Sequence, residues 1–144
     1  MDRIFSRLTN LELLTLLLYG EARGEGLDGM LAVASVAMNR VAQPGWWGKD
    51  IKSIILKQKQ FSCFNEDDPN CALLEEFAQA MEIVGEVTSP LRTAYWIAKG
   101  VLDGHLESNV SVATHYHAIG MMEAPDWAVK MKLVCQRGNH VFYV

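Results

Sequence analysis

The sequence predicts an α+β fold, mainly helical, with a small β-sheet or hairpin near the C-terminus. Three observations carry this reading. Apolar residues recur at helical spacing through the first two thirds of the chain, short polar or Gly/Pro-containing segments separate these runs, and period-two alternation is confined to the last third.

A chain of 144 residues fits one domain, 1–144, that can bury about 70 % of its unfolded surface. No repeat, linker or low-complexity stretch divides it. Half of the residues are hydrophobic and 21 % are charged, which is globular composition and argues against disorder. The formal net charge of −4, without a basic stripe, argues against a nucleic-acid partner. It leaves a polysaccharide open, because sugars are read by hydrogen bonds and aromatic faces.

Thr9-Asn10-Leu11-Glu12 is a capping box, with Leu8 and Leu13 at the positions of a hydrophobic staple. Leu11, Leu14, Leu17 and Leu18 then share one helical face, and Glu21 continues it by one turn before Gly24 and Gly26 stop the helix. A second helix, apolar nearly all round, spans about 28–41 with Asp28 as N-cap. Residues 43–48 form a Gly/Pro/Trp loop, and Asp50 caps a short helix to about 56. Phe61 to Phe64 reads as extended, followed by a polar turn at 65–70 and an amphipathic helix at 71–84. Ser89-Pro90 starts a helix to about 102. Residues 109–118 alternate as a strand, 126–132 form a short helix, and 133–143 form a hairpin around Gly138-Asn139.

Arg3 and Arg7 ahead of the apolar run 11–19 mimic a signal peptide. Glu12 and Thr15 interrupt that run, no cleavage pattern follows, and it is shorter than the ~20 residues that span a membrane. The reading is therefore a domain helix, in a monomer made in the cytoplasm without its own export signal and without membrane insertion. Cysteines 63, 71 and 135 are an odd set without a C-x-x-C pair, a poor disulfide framework in which only Cys63 and Cys71 lie close enough to bridge a short loop.

Glu21 is the most informative polar residue. A carboxyl that continues an apolar stripe into the last turn of a helix sits where its protonated form is favoured, as a general acid requires. The competing reading is an ion pair with Arg23 or Arg40. Trp46, Trp47, Phe61, Trp96, Tyr116 and Trp127 are numerous for so small a domain and offer sugar-stacking faces, although Trp96, in mid-helix, reads as core. His115-x-His117, with His105 and His140, raises a metal question, since alternate strand positions place two imidazoles on one face, but no third ligand is signposted, so neither a metal nor another cofactor is expected. Cys63 could serve as a nucleophile only with a distant His. Neither a G-x-S-x-G elbow nor a phosphate-binding glycine loop is present.

Tyr19-Gly20-Glu21-Ala22-Arg23-Gly24-Glu25, Asn39-Arg40-Val41, Gln60-Phe61-Ser62, Ala113 to Ala118, Pro125-x-Trp127-Ala128 and Gly138 to Tyr143 together resemble the SleB/CwlJ type of cell wall hydrolase, over about residues 11–143. The resemblance implies a lysozyme-like catalytic domain that acts on bacterial peptidoglycan as a lytic transglycosylase. One Glu, here Glu21, would protonate the bond between N-acetylmuramic acid and N-acetylglucosamine, then act as base while the muramic 6-hydroxyl closes onto C1. Glu25 matches a supportive motif position, and Phe61, Ser62, His115, Tyr116, His117 and Trp127 would line the glycan groove. His115-Tyr116-His117 departs from the Tyr-Tyr-Asn type of spore members, which puts specificity for spore cortex in doubt. The lack of a signal peptide and of a wall-binding domain suggests an endolysin that reaches the wall after release. Alternatives are an N-acetylmuramoyl-L-alanine amidase, a non-catalytic wall-binding module, and lysozyme-type hydrolysis with Glu25 or Asp28 as second carboxylate.

Overall fold

The computed structural model describes residues 3–57, 60–121 and 123–144. Six α-helices precede a small sheet: α1 (Arg3–Arg7), α2 (Asn10–Ala22), α3 (Gly26–Ala42), α4 (Ile51–Ile55), α5 (Pro69–Val84) and α6 (Arg92–Leu102). Strands β1 (His115–Ala118), β2 (Leu133–Arg137) and β3 (His140–Tyr143) form an antiparallel sheet in the order β1-β3-β2. The mainly helical domain with a C-terminal sheet is the architecture expected.

Helix α2 begins as its sequence dictates. The Thr9 hydroxyl accepts from the Glu12 N–H at 3.1 Å, and the Glu12 carboxylate accepts from the Thr9 N–H at 2.9 Å. Its packing differs from the single stripe expected. Leu13 through Leu18 are all buried, because α3, α4, α5 and α6 surround the helix. Thr15 is tolerated there because its hydroxyl donates to the Leu11 carbonyl at 2.7 Å.

Helix α3 has two buried faces. Val33, Ala34 and Ala37 join the main core, while Ala32 and Val36 meet Val110, Ala113 and Phe142 in a second cluster beneath the sheet. Its small side chains let both layers approach. The helix starts at Gly26, ahead of Asp28, and its N-cap is Glu25, which makes no side-chain cap bond. Asp28 falls in the first turn instead.

Other differences have local causes. Ser62–Phe64 is a 3-10 turn, with only Phe61 extended ahead of it. Helix α5 starts at Pro69 because Asp68 accepts from the Asn70 N–H. Ser89-Pro90 opens a 3-10 turn that leads into α6. Trp96 is 63 % exposed, since the buried face of α6 runs through Ala94, Ile97 and Ala98. Strand β1 is shorter than the alternation at 109–118 implied. Residues 109–112 bend through Ser111, at φ +52°, so that Val110 and Ala113 both turn inward and Val112 stays exposed.

That bend is tied down from α3. Asn39 Nδ2 donates to the carbonyls of Ser111 and Ala113 at 2.9 and 2.8 Å, and Arg40 Nε donates to the Thr114 carbonyl at 2.7 Å. Asn39→Ala should lower unfolding stability by about 1–3 kcal/mol, by leaving the Ala113 carbonyl without its side-chain donor and the Ser111 carbonyl with the Ser108 hydroxyl alone. Urea denaturation checks this, and an unchanged midpoint would mean that the bend holds itself.

Candidate active site

Glu21 lies in the last turn of α2, half-buried, with its carboxylate directed at two other segments. The Tyr116 hydroxyl donates to Oε1 at 2.5 Å. The Cys63 N–H and the Ser62 hydroxyl reach Oε2 at 3.3 and 3.4 Å. Neither arginine takes the carboxylate: Arg23 donates to Asn70 Oδ1 and the Tyr19 carbonyl, and Arg40 to the Thr114 carbonyl and Gln60. Among the described residues Glu21 has no ion pair. Ser62 is exposed while Cys63 and Phe61 are buried, so the carboxylate opens to the surface beside Oε2.

Gly20 makes this convergence possible. A Cβ there would stand 2.7 Å from both Cβ and Sγ of Cys63, so only glycine lets the 61–64 segment touch α2 one residue from Glu21. Tyr116 arrives from the opposite side. Its ring lies 4.9 Å from His140, 5.5 Å from Phe142 and 6.5 Å from Phe61. Phe61 is 2 % exposed and packs in the core between Tyr116 and Arg40, away from any open wall.

The electrostatics keep these neighbours in one protonation state. Burial first, and then the charge of Glu21, hold the Tyr116 phenol well above its usual range, so it remains a neutral donor. The same two causes push the Cys63 thiol up, which makes it unsuited to be a thiolate nucleophile. Burial lowers Arg40 to about 10, which leaves it charged near neutrality, sandwiched between the Trp47 and Phe61 rings at 5.4 Å each.

Alternation along β1 sends His115 and His117 to the other side from Tyr116. There the two imidazoles join Trp127 at 5.0 and 5.9 Å, Trp47 packs on His115, and Tyr143 stacks on His117 at 5.3 Å. Trp46 at the margin is 59 % exposed, whereas Trp47 is half-buried, with its indole N–H on the Arg40 and Gln43 carbonyls. The seven residues proposed from sequence to bind glycan thus fall into separate settings: Phe61, Ser62 and Tyr116 around Glu21, His115, His117 and Trp127 on the aromatic face, and Glu25 against the β2–β3 turn. The ring nitrogens that the structure engages face protein partners. His115 Nδ1 lies 3.0 Å from Thr114 Oγ1, and His117 Nε2 lies 2.9 Å from the Tyr143 hydroxyl. Among the described residues no three His, Cys, Asp or Glu side chains gather as metal ligands, and no disulfide joins Cys63 to Cys71.

The sequence reading took Arg40 only as a competing partner for Glu21, named Asn39 only within a resembled motif, and weighed His140 only in the metal question. A polar pair closing an apolar helix was the available signal for the first two. For His140 the signal was its place in the Gly138 to Tyr143 block.

A family model described as Cell Wall Hydrolase matches residues 24–143, a stretch that begins three positions after Glu21. The fold is that of SleB catalytic domains. The catalytic domain of the germination-specific lytic transglycosylase SleB from Bacillus anthracis superposes with a TM-score of 0.66 at 19 % identity, covering 100 % of this chain and 97 % of that one. The catalytic domain of Bacillus cereus SleB gives 0.67 at 20 % identity, covering 94 % and 89 %. No curated protein matches the chain.

Two outcomes follow from the site's packing. Gly20→Ala should displace the 61–64 segment and lower wall-degrading activity by at least about ten-fold, the scale on which small misplacements act. A turbidity assay on purified cell walls measures it, and full activity would show that the Cys63 contact is dispensable. His115 is the second case, lowered from 6.5 to about 4 by burial and then by the charge of Arg40. The unfolded chain takes up this proton where the folded chain does not, so stability should fall as pH drops from about 6.5 to about 4 and level off below. His115→Gln should remove that part of the slope. Parallel wild-type and variant curves of urea midpoint against pH would refute the assignment.

Proposed function

The chain belongs to the cell wall hydrolase family, and from that membership we propose that it cleaves peptidoglycan glycan strands as a lytic transglycosylase, with Glu21 as acid and then base. The observation that carries the reading is the Glu21 carboxylate, without an ion pair among the described residues, held by three donors from two segments with the exposed Ser62 beside Oε2. Oε1 is committed to Tyr116. Oε2, with longer contacts, is the oxygen free to carry a proton to a glycosidic oxygen and later to take one back. The Ser62 and Tyr116 hydroxyls can each switch between donating and accepting, so they serve both states of the carboxyl.

In the first step Glu21 gives its proton to the bridging oxygen as the bond to muramic C1 breaks, and the N-acetylglucosamine hydroxyl departs. In the second, the muramic 6-hydroxyl attacks C1 and returns its proton to Glu21, leaving a 1,6-anhydro end and a regenerated acid. No water is consumed. Hydrolysis of the lysozyme kind would need a second working carboxylate. Glu25, the nearest along the chain, has Oε2 taken by Asn139 and Oε1 facing His140. That leaves it poorly placed to activate water and favours the anhydro route. An aromatic face built from Trp127, His115 and Trp46 supplies stacking surface for the strand beyond the scissile bond.

Mass spectrometry of digested peptidoglycan tests the chemistry. Muramic ends lighter by one water than the hydrolytic fragment are expected. Reducing ends would instead mean hydrolysis, and released stem peptides would mean an amidase. Glu21→Gln should retain wall binding and lose at least about a hundred-fold in turnover. Undiminished lysis by that variant would remove Glu21 from the chemistry.

A further inference from the structure

The Glu25 side chain is only 12 % exposed and lies in a socket formed by parts far apart in sequence. Its Oε2 accepts from the backbone N–H and the Nδ2 of Asn139, both at 3.2 Å, and its Oε1 lies 3.4 Å from His140 Nδ1. Two glycines create the space. A Cβ on Gly29 would collide with that of Glu25, and one on Gly138, at φ +55°, would stand 2.8 Å from Oε2. A carboxylate accommodated this closely is not a solvated surface charge. His140 Nδ1 has no hydrogen-bond partner of good geometry, so the Glu25 oxygen is what faces it.

The next contact leads to the site. The His140 ring, 9 % exposed, meets the Tyr116 ring edge-on at 4.9 Å and 73°, and Tyr116 donates to Glu21. We propose that Glu25 and His140 are positioning residues: Glu25 locks the β2–β3 turn and orients the His140 imidazole, whose ring sets the angle at which Tyr116 presents its hydroxyl to Glu21. This deepens the reading of Glu21 as the acid–base group and rests on it. Both Glu25 oxygens are engaged by the β2–β3 turn and by His140, away from Glu21. Glu25 acts through two rings.

The test reads Tyr116 directly, by NMR of protein labelled with 13C at the tyrosine ring carbon that bears the hydroxyl, alongside turnover on purified peptidoglycan. Glu25→Ala should shift the Tyr116 signal and lower kcat about 10–100-fold, the range for residues that orient a reacting group, with KM changed by less than about two-fold. Glu25→Gln should restore most of both, because the amide keeps an acceptor for the Asn139 N–H and offers His140 an N–H in place of a lone pair. His140→Leu, which spares the turn's hydrogen bonds, should reproduce the Tyr116 shift even if Glu25→Ala folds poorly. An unmoved Tyr116 signal in both Glu25→Ala and His140→Leu overturns the proposal, as does a Gln variant no better than Ala. The signal is read on the protein alone, so it reports on this link even if Glu21→Gln were to retain activity and the acid–base reading were to fail.

Discussion

Two adjacent side chains of α3 donate to three backbone carbonyls just ahead of β1, those of Ser111, Ala113 and Thr114, the first of which also accepts from the Ser108 hydroxyl. A bent segment pairs only part of its own polar groups, here through Ser108 and the Val110 carbonyl, and leaving the rest buried and unmet is costly. Asn39 and Arg40 meet the remaining need, and in doing so they set where β1 begins. Since β1 starts at His115, Tyr116 falls on the inner side and reaches Glu21, while its two neighbours turn outward. A shift of one residue would exchange the two faces. The proposed chemistry therefore depends on how a helix end serves a loop.

Around that geometry the charges are few and firmly held. Arg40 is buried with its guanidinium between two aromatic rings and donating to the Thr114 carbonyl, so its charge is satisfied without a carboxylate. Among the described residues Glu21 is thus left without an arginine partner. The hydroxyl and amide partners from the 61–64 segment and β1 hold the carboxylate in place. The family match begins just after Glu21, whereas the superposition on SleB catalytic domains spans the whole chain. Fold and family thus stand on independent comparisons.

Features written in neighbouring residues were legible in the sequence. The Thr9/Glu12 box, the Asp50 cap, the interruption at Gly24 and Gly26 and the final hairpin each depend on contacts a few positions apart. What escaped depends on distant partners. The start of α3 is governed by Glu25, whose carboxylate is committed 114 residues away. The strand starts later than expected: alternation of Val110 and Val112 mimics pairing, whereas the Asn39 contacts hold that stretch in a bend. Trp96 misled by its size, even though the Ala94, Ile97, Ala98 face already placed it outside. The motif block around Glu21 pointed to the site, but not to the separation of Tyr116 from His115 and His117, which follows from register. Gly20 was read as room for a close neighbour. That neighbour is Cys63.

Helix α2 has almost no side open to water, and this bears on how such a protein can vary. Adding or removing one residue within the helix would rotate everything beyond it by about 100° and advance it by about 1.5 Å. Glu21 would leave its partners and several leucines would meet the wrong neighbours at once. Length changes are therefore expected in connecting segments remote from Glu21 and from the bend ahead of β1, such as that between α5 and α6. Diversification for different walls would be expected there, with the central helix inherited as a unit of constant length.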